Sequence, residues 1–272
     1  MSEFVEWNLS TRSVGRRVLV YDRTDSTNER AAERAGSIAN DGLVVLAREQ
    51  TAGRGQHGRT WQCPPGSGVL LSVLVHPPPE IRRAAILTGW AAVAVCETIR
   101  QATNLQARIK WPNDVLLDGR KVCGILSELR ASPLRLGEDP PQWAAIVGIG
   151  LNVNQPAEAF QSPGLELGTS LAVATGKAFE CDDIARLLIE NLDDDYSRSC
   201  NGELTTLEAV WKGRIGLLGQ QVQVECSSTD YKGRLRDITF DAVELEFPNG
   251  ELLRLRPELV LHIKSASGGN RD

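Results

Sequence analysis

Two apolar, β-branched runs, Leu43 to Ala47 and Val69 to Val75, bracket a glycine- and arginine-rich stretch from Thr51 to Gly68 that has no hydrophobic periodicity. Two strands held apart by such a segment constrain the fold strongly, because a long structureless loop inside a compact chain is either functional or disordered. Composition argues against disorder. Of 272 residues, 42% are hydrophobic and 24% charged, ordinary globular usage that also excludes collagen-like and disulfide-scaffold chains. The length allows one large domain, or a main domain with a small appendage. Lys and Arg number 30 against 35 Asp and Glu, a net charge of -5 with no block of like charge, which argues against bulk binding to nucleic-acid backbones.

Six cysteines (Cys63, Cys96, Cys123, Cys181, Cys200, Cys226) are scattered without a C-x-x-C pair, and three histidines are too dispersed to complete a zinc pattern. They read as reduced thiols, mostly core filler. Met1 to Arg12 carries Glu3, Glu6 and Asn8 where a secretory signal needs an apolar run, and no segment reaches the ~20 apolar residues of a membrane span. A cytoplasmic protein with no membrane partner is the expectation.

Along the chain, Asp25 to Gly36 offers Ser or Thr as an N-cap, then alanine-rich helical composition and a glycine stop, so a short helix is expected from about Ser26. Glu80 to Thr103 predicts a long helix buried on one face. Arg108 to Trp111 and Val115 to Leu117 read as strands, Asp118-Gly119 as a hairpin turn into Lys121 to Leu129, and Trp143 to Val153 as another strand. Asp182 to Tyr196 and Leu204 to Arg214 predict two further helices. From Gly219 the pattern changes to short alternating runs, Gln221 to Glu225, Tyr231 to Ile238, Val243 to Phe247, Glu251 to Leu255 and Leu259 to Ile263. Spacing of about ten residues with turn residues between is that of a small β-barrel. The expected division is 1–216, 217–264, and a frayed polar tail over 265–272.

Gly53-Arg54-Gly55-Gln56-His57-Gly58 satisfies G-x-G-x-x-G by letter and fails by context. The dinucleotide fingerprint needs a helix opening on its last glycine, which Arg59 to Gly66, with two prolines, cannot begin. The glycines instead allow backbone N–H groups to curl around an anion, with Arg54 and Arg59 adding charge; the plain alternative is a mobile surface loop. Only 6 of the 30 basic residues are lysine, yet Lys110 and Lys121 lie close together. A compact ammonium at a strand end suits a phosphate or a developing oxyanion, whereas a lone Lys121 is as readily a solvent-facing side chain. Asn113 and Asp114, just after Lys110, are within reach of a metal or a ribose. Gly148-Ile149-Gly150-Leu151-Asn152 ends an apolar strand with small residues, which marks close approach by a ligand or another backbone, or simply a turn.

Together, Asp25-Ser26-Thr27-Asn28, Gln50-Thr51-Ala52-Gly53-Arg54-Gly55, Lys110-Trp111-Pro112-Asn113-Asp114, Lys121-Val122-Cys123-Gly124-Ile125-Leu126 and Gly148 to Asn152 resemble the biotin protein ligases, in that family's order and spacing. The resemblance runs from about Tyr21 to the C-terminus. It implies an α/β (α+β) fold: a mixed-sheet catalytic domain of the biotin/lipoate protein ligase type, then a C-terminal Src-homology-3-like β-barrel. Three departures stand out. Only 24 residues precede Asp25, fewer than the ~40 of the smallest autonomous domains, so a DNA-binding domain and operator binding are expected to be absent. Gln56 and His57 stand where some relatives have arginines, and Cys123 occupies a small-residue position, read as packing rather than as a nucleophile.

The activity implied is a two-step one. Biotin carboxylate attacks the α-phosphate of ATP, with Mg²⁺ on the polyphosphate, and a lysine of a biotin carboxyl carrier protein then attacks the resulting biotinyl-5′-adenylate. By the resemblance, Lys110 and Arg54 carry the catalysis. Ser26, Thr27, Asn28, Gln50, Arg54, Gly55, Gln56 and Lys110 hold biotin, and Arg59, Trp61, Asn113, Lys121 and Asn152 the nucleotide. Protein ligands to a metal are not assigned, and a homodimer is compatible with the reading. The alternatives are a lipoate or octanoate ligase or transferase on the same scaffold, and a non-catalytic biotin-binding regulator.

Overall fold

A computed structural model describes residues 3–131, 143–162 and 164–266. The chain opens with β1 (Val5–Asn8) and β2 (Arg17–Tyr21), then α1 (Thr27–Ala32), β3 (Leu43–Ala47) and β4 (Gly68–Val75). Next come α2 (Ala84–Thr103), β5 (Arg108–Lys110), β6 (Asp114–Leu117), β7 (Arg120–Ala131) and β8 (Trp143–Asn152). Three helices follow, α3 (Leu171–Thr175), α4 (Cys181–Cys200) and α5 (Leu204–Ile215), then β9 (Gln221–Cys226), β10 (Asp230–Ile238), β11 (Val243–Glu246), β12 (Leu252–Leu255) and β13 (Val260–Ser265).

The first eight strands form one mixed sheet in the order β1-β2-β3-β4-β8-β7-β6-β5, with β2 and β3 parallel and every other pair antiparallel. Because side chains alternate across a strand, β4 serves two cores. Val69, Leu71, Val73 and Val75 join the large cluster built with α2 and α4, while Leu74 joins a smaller one with Tyr21, Ala31 and Ile146 beneath α1. This accounts for an apolar run with no alternation: both faces of the strand are covered. The β6–β7 turn is the expected two-residue hairpin, with Asp118 at φ 48° and Gly119 at φ 78°, both in the left-handed region that a type I′ turn requires.

The last five strands form an antiparallel sheet, β12-β11-β10-β9-β13, the Src-homology-3-like part of the fold. It is anchored by aromatic packing. Phe240 lies 4.7 Å from Trp211 of α5, centroid to centroid, and Trp211 lies 5.8 Å from Trp111. The Trp111 indole N–H donates to the Val260 carbonyl at 3.0 Å. One apolar cluster therefore runs from the large sheet into the small one, with the start of β13 held at Trp111, the residue after β5.

Three points of the sequence reading need correction. The helix expected from Glu80 begins at Ala84: Pro79–Ile81 makes one 3-10 turn and Arg83 is extended, its guanidinium held by the Phe240 carbonyl and Asp241. Tertiary contact overrides propensity there. Strands β1 and β2 and helix α3 were not expected; β1 is mostly exposed and short, and its order comes from pairing with β2. The tail was expected to fray from 265, yet Ser265 pairs with Val222 and the Ala266 N–H donates to Gln221 at 2.7 Å. The remainder of that tail, 267–272, lies outside the described residues.

Candidate active site

On the face of the large sheet that carries α1, three positions have no side chain. Gly124 of β7 is paired with Gly150 of β8, and Gly148 lies two residues before Gly150. Glycine in a strand interior forfeits packing and β propensity, so three of them on one face mark something that approaches closely. A Cβ on Gly150 or Gly124 would run into the Trp61 ring, and one on Gly148 into the Asn28 amide. Above this floor opens a cleft of about 940 Å³, within the range of small-molecule sites.

The polar wall comes from α1 and the end of β3. Because β2 and β3 are parallel, both exit at the same edge, and the chain beyond them stays paired: Thr51 N–H donates to Thr24 O and Ala52 N–H to Asp25 O, each at 2.9 Å. Ser26, Thr27 and Asn28 are thereby set beside Gln50, all three at most 4% exposed. Gln50 Oε1 accepts from Thr27 N at 2.7 Å and from Thr27 Oγ1 at 3.1 Å, which turns the Gln50 NH₂ toward the cleft. Asn28 is differently placed. Its Oδ1 accepts from Ser72 Oγ at 2.6 Å and its Nδ2 donates to Glu128 at 2.8 Å. Thr27 and Asn28 thus spend hydrogen bonds on the scaffold, whereas among the described residues the Ser26 hydroxyl and the Gln50 NH₂ have no hydrogen-bond partner and line the cleft.

The glycine-rich stretch is a small hairpin across the cleft mouth. Trp61 N–H donates to Gly53 O at 3.0 Å, Gly55 N–H to Arg59 O at 2.7 Å and Arg59 N–H to Gln56 O at 3.2 Å. The Gly55 amide of the expected anion cradle is therefore committed inside the hairpin, together with the amides of Arg59 and Trp61 beyond it, and the tip is one 3-10 turn, Gln56–Gly58, with His57 at φ 55°. No helix opens on Gly58, which removes the dinucleotide reading. Gly53 is required by close approach, since a Cβ there would meet the Trp61 carbonyl. Arg54 is ion-paired twice, to Glu29 on α1 and to Glu128 on β7, the latter at 2.6 Å.

The opposite wall holds the lysines. Lys110 ends β5 and lines the cleft, and among the described residues its ammonium has no hydrogen bond or ion pair. Lys121 lines it too, but is paired with Asp114 at 2.5 Å and stands 5.6 Å from the centre of the Trp61 ring. Asn113 and Asn152 line the cleft with their amides engaged: Asn113 Nδ2 donates to Ile125 O, and Asn152 Nδ2 to Thr169 O, each at 3.0 Å. Asn152 Oδ1 also accepts from Gln155. Gly55, Gln56, Arg59 and Trp61 line the cleft as well, so every residue assigned to biotin or nucleotide by the resemblance borders one cavity. Cys123 is fully buried and its burial pushes the thiol pKa up, the packing role expected of it.

Sequence reasoning missed Glu128 and Glu29, and also His262 and Lys264, which reach the cleft from β13. Glu128 was within reach of a period-2 count, since 124, 126 and 128 share one face of a strand. His262 and Lys264 had no local signal. Burial pulls the His262 imidazole pKa below its usual value, opposed by Glu225 and reinforced by Lys264, Lys110 and Arg59.

Comparisons with known proteins agree with this geometry. Residues 20–136 match the model of the biotin/lipoate A/B protein ligase family. The bifunctional ligase/repressor BirA of Bacillus subtilis is 30% identical over 89% of this chain and 72% of its own. The biotin–[acetyl-CoA-carboxylase] ligases of Paracoccus denitrificans and Mycobacterium tuberculosis are each 34% identical, over 78% and 82% of this chain and 86% and 80% of their own. The fold matches that of the Aquifex aeolicus biotin protein ligase solved with biotin and ATP, with a TM-score of 0.73 and 23% identity over 92% of this chain and 99% of that one. A glycine-floored cleft with these motifs in this order, in a chain so similar to those ligases along most of its length, makes this protein a member of the biotin protein ligase family.

Proposed function

We propose that this chain attaches biotin to a lysine of a biotin carboxyl carrier protein at the expense of ATP, through biotinyl-5′-adenylate. The observation that carries the reading is Lys110: an ammonium without an ion-pair partner among the described residues, facing a cleft whose far wall offers buried neutral hydrogen-bonding groups. Carboxylate and α-phosphate repel one another as they approach, and a fixed cation between them lowers that barrier without reorganising. The Ser26 hydroxyl and Gln50 NH₂ suit the polar ureido end of biotin, and the glycine floor seats the Trp61 ring and the Asn28 amide that border the site. Arg54, Gly55 and Gln56 border that end. Arg59, Trp61, Lys121 and the shape-holding Asn113 and Asn152 bound the nucleotide side.

Mg²⁺ enters with its substrate, as MgATP. Among the described residues no group of three His, Cys, Asp or Glu side chains is placed to cage a metal, and Asp114 in the cleft is already paired with Lys121. This fits an ion held chiefly by phosphate oxygens and water. The second step needs no enzyme nucleophile: the acceptor lysine attacks the acyl carbon, and catalysis rests on positioning and charge. We further take the segment before Gly216 as the catalytic unit and 217–264 as the small barrel that closes one side of the cleft. No helix among the described residues is long and apolar enough to cross a membrane.

The test is pyrophosphate release from MgATP with biotin, lipoate or octanoate as the acid, followed by mass spectrometry of an added biotin carboxyl carrier domain. Biotin-dependent release and a biotinylated lysine are expected. Release with lipoate or octanoate in preference to biotin reassigns the substrate, and biotin binding without release makes the protein a binding regulator.

A further inference from the structure

Glu128 belongs to none of the motifs, yet it bonds two residues that line the cleft, Arg54 and Asn28. It sits on β7, on the same face as Gly124, and it is half-buried. Its two oxygens are divided between two different elements. Oε1 takes Arg54 Nη2 at 2.6 Å, from the glycine-rich hairpin, and Oε2 takes Asn28 Nδ2 at 2.8 Å, from α1. Asn28 in turn accepts from Ser72 Oγ at 2.6 Å, and Ser72 Oγ is also 2.7 Å from Thr27 Oγ1, which bonds Gln50. The chain of contacts is continuous from the hairpin to the Gln50 amide.

We infer that Glu128 is a positioning residue for biotin: one carboxylate that fixes the rotamer of Arg54 and the amide orientation of Asn28, and through Asn28 the Ser72, Thr27 and Gln50 network. The physical argument is donor and acceptor matching. Asn28 can face a carboxylate only with its NH₂, so Glu128 leaves Oδ1 to meet the Ser72 hydroxyl; a flipped amide would set oxygen against carboxylate. The Asn28 amide also fills the space above Gly148, so its orientation decides whether the cleft floor there carries a donor or an acceptor. Arg54 has a second partner in Glu29, on α1. Removing Glu128 would therefore let Arg54 swing toward α1 rather than free it from the cleft. Contacts of this charge-assisted kind contribute more than neutral hydrogen bonds when both ends are held.

The inference rests on the proposed biotinylation, and the test separates the two. Biotin-dependent pyrophosphate release by the parent protein establishes the activity first; if it is absent, the proposed function fails and not this inference. Glu128→Gln, Asn28→Asp and the double variant are then compared for biotin KM and kcat at saturating MgATP, with thermal melting to confirm folding. Glu128→Gln keeps one acceptor oxygen but sets an NH₂ against a donor, and Asn28→Asp sets two carboxylates face to face. Each single change should raise the biotin KM about tenfold, the size expected for one charged hydrogen bond, with kcat within about threefold of the parent. The double variant exchanges donor for acceptor across the same contact and keeps the net charge, so it should return the KM to within about threefold of the parent. If Glu128→Gln does not fold, Asn28→Asp against the double variant still decides. A folded Glu128→Gln with the parent's KM, or a double variant no better than the worse single, overturns the assignment.

Discussion

The two faces of the eight-stranded sheet are built from the same strands by opposite rules. On the α2 and α4 side, β4 and β8 present Val69, Val73, Val75, Ala145 and Val147, all nearly or fully buried in one apolar cluster. On the α1 side, the intervening positions hold Leu70, Ser72, Gly148 and Gly150, and the side chains that cover them, Asn28 and Trp61, come from α1 and a loop. One face is apolar along its length; the other is apolar at its Leu74–Ile146 end and gives up buried apolar area over Gly148 and Gly150 to leave a cavity lined with hydrogen-bonding groups. The difference locates the trade of stability for function residue by residue, in alternate positions of a single strand.

Substitutions on the two faces should therefore fail in different assays. The largest effect is expected at Lys110→Ala, which should cut adenylate synthesis by roughly 10²–10³ while leaving the melting temperature near the parent's, as removal of one preorganised charge does elsewhere. Near-normal adenylate formation in a folded variant would remove Lys110 from the chemistry. Gly150→Val puts branched carbons where the Trp61 ring lies, so biotin kcat/KM should drop about 10- to 100-fold through displacement of that ring. Quenching of tryptophan fluorescence by acrylamide should rise in the same variant, and unchanged kinetics would mean that the glycine floor is not a functional surface.

Val147→Ala, one residue from Gly148 but on the other face and 0% exposed, should do the reverse. It deletes two buried methyl groups and should cost about 2 kcal/mol in denaturant unfolding, with kcat/KM unchanged where the protein is folded. A kinetic defect in a stably folded Val147→Ala would erase the distinction between the faces. The smallest effect concerns His262. Burial holds its pKa below the ordinary imidazole value in the folded chain, so the unfolded chain binds more protons as pH falls through that value. His262 thus favours the folded state above about pH 6.5 and loses that contribution as pH falls through its folded pKa. His262→Gln should flatten the pH dependence of stability below pH 6.5, and an unchanged profile would show that the imidazole does not titrate differently on folding.

How legible each part was follows from the range of the forces that set it. Strands β3, β4, β7 and β8 and the I′ turn at Asp118-Gly119 announce themselves through local composition, and the motif residues were nameable because their types suit one chemistry. What each motif residue does was less legible. The resemblance assigns Asn113 and Asn152 to the nucleotide, and in the fold each amide also donates one hydrogen bond to a backbone carbonyl, a partner no motif can reveal. Lys110 and Lys121 look alike in sequence and differ in the fold, one without an ion pair among the described residues and the other bound to Asp114.

The sequence by itself determined the strand and helix periodicities, the placement of glycines where something must come close, and the small barrel that follows Gly219. These depend on side-chain size, branching and backbone freedom within a few residues. Only the tertiary structure decided which polar groups are spent on the scaffold and which remain for a ligand, that Glu128 joins the hairpin to α1 across a separation of 74 residues to Arg54, and that His262 and Lys264 of the barrel face the cleft. Such pairings are set by where sheet order and aromatic packing bring distant segments. A hydrogen bond forms with whichever partner is within about 3 Å, however far away along the chain that partner lies.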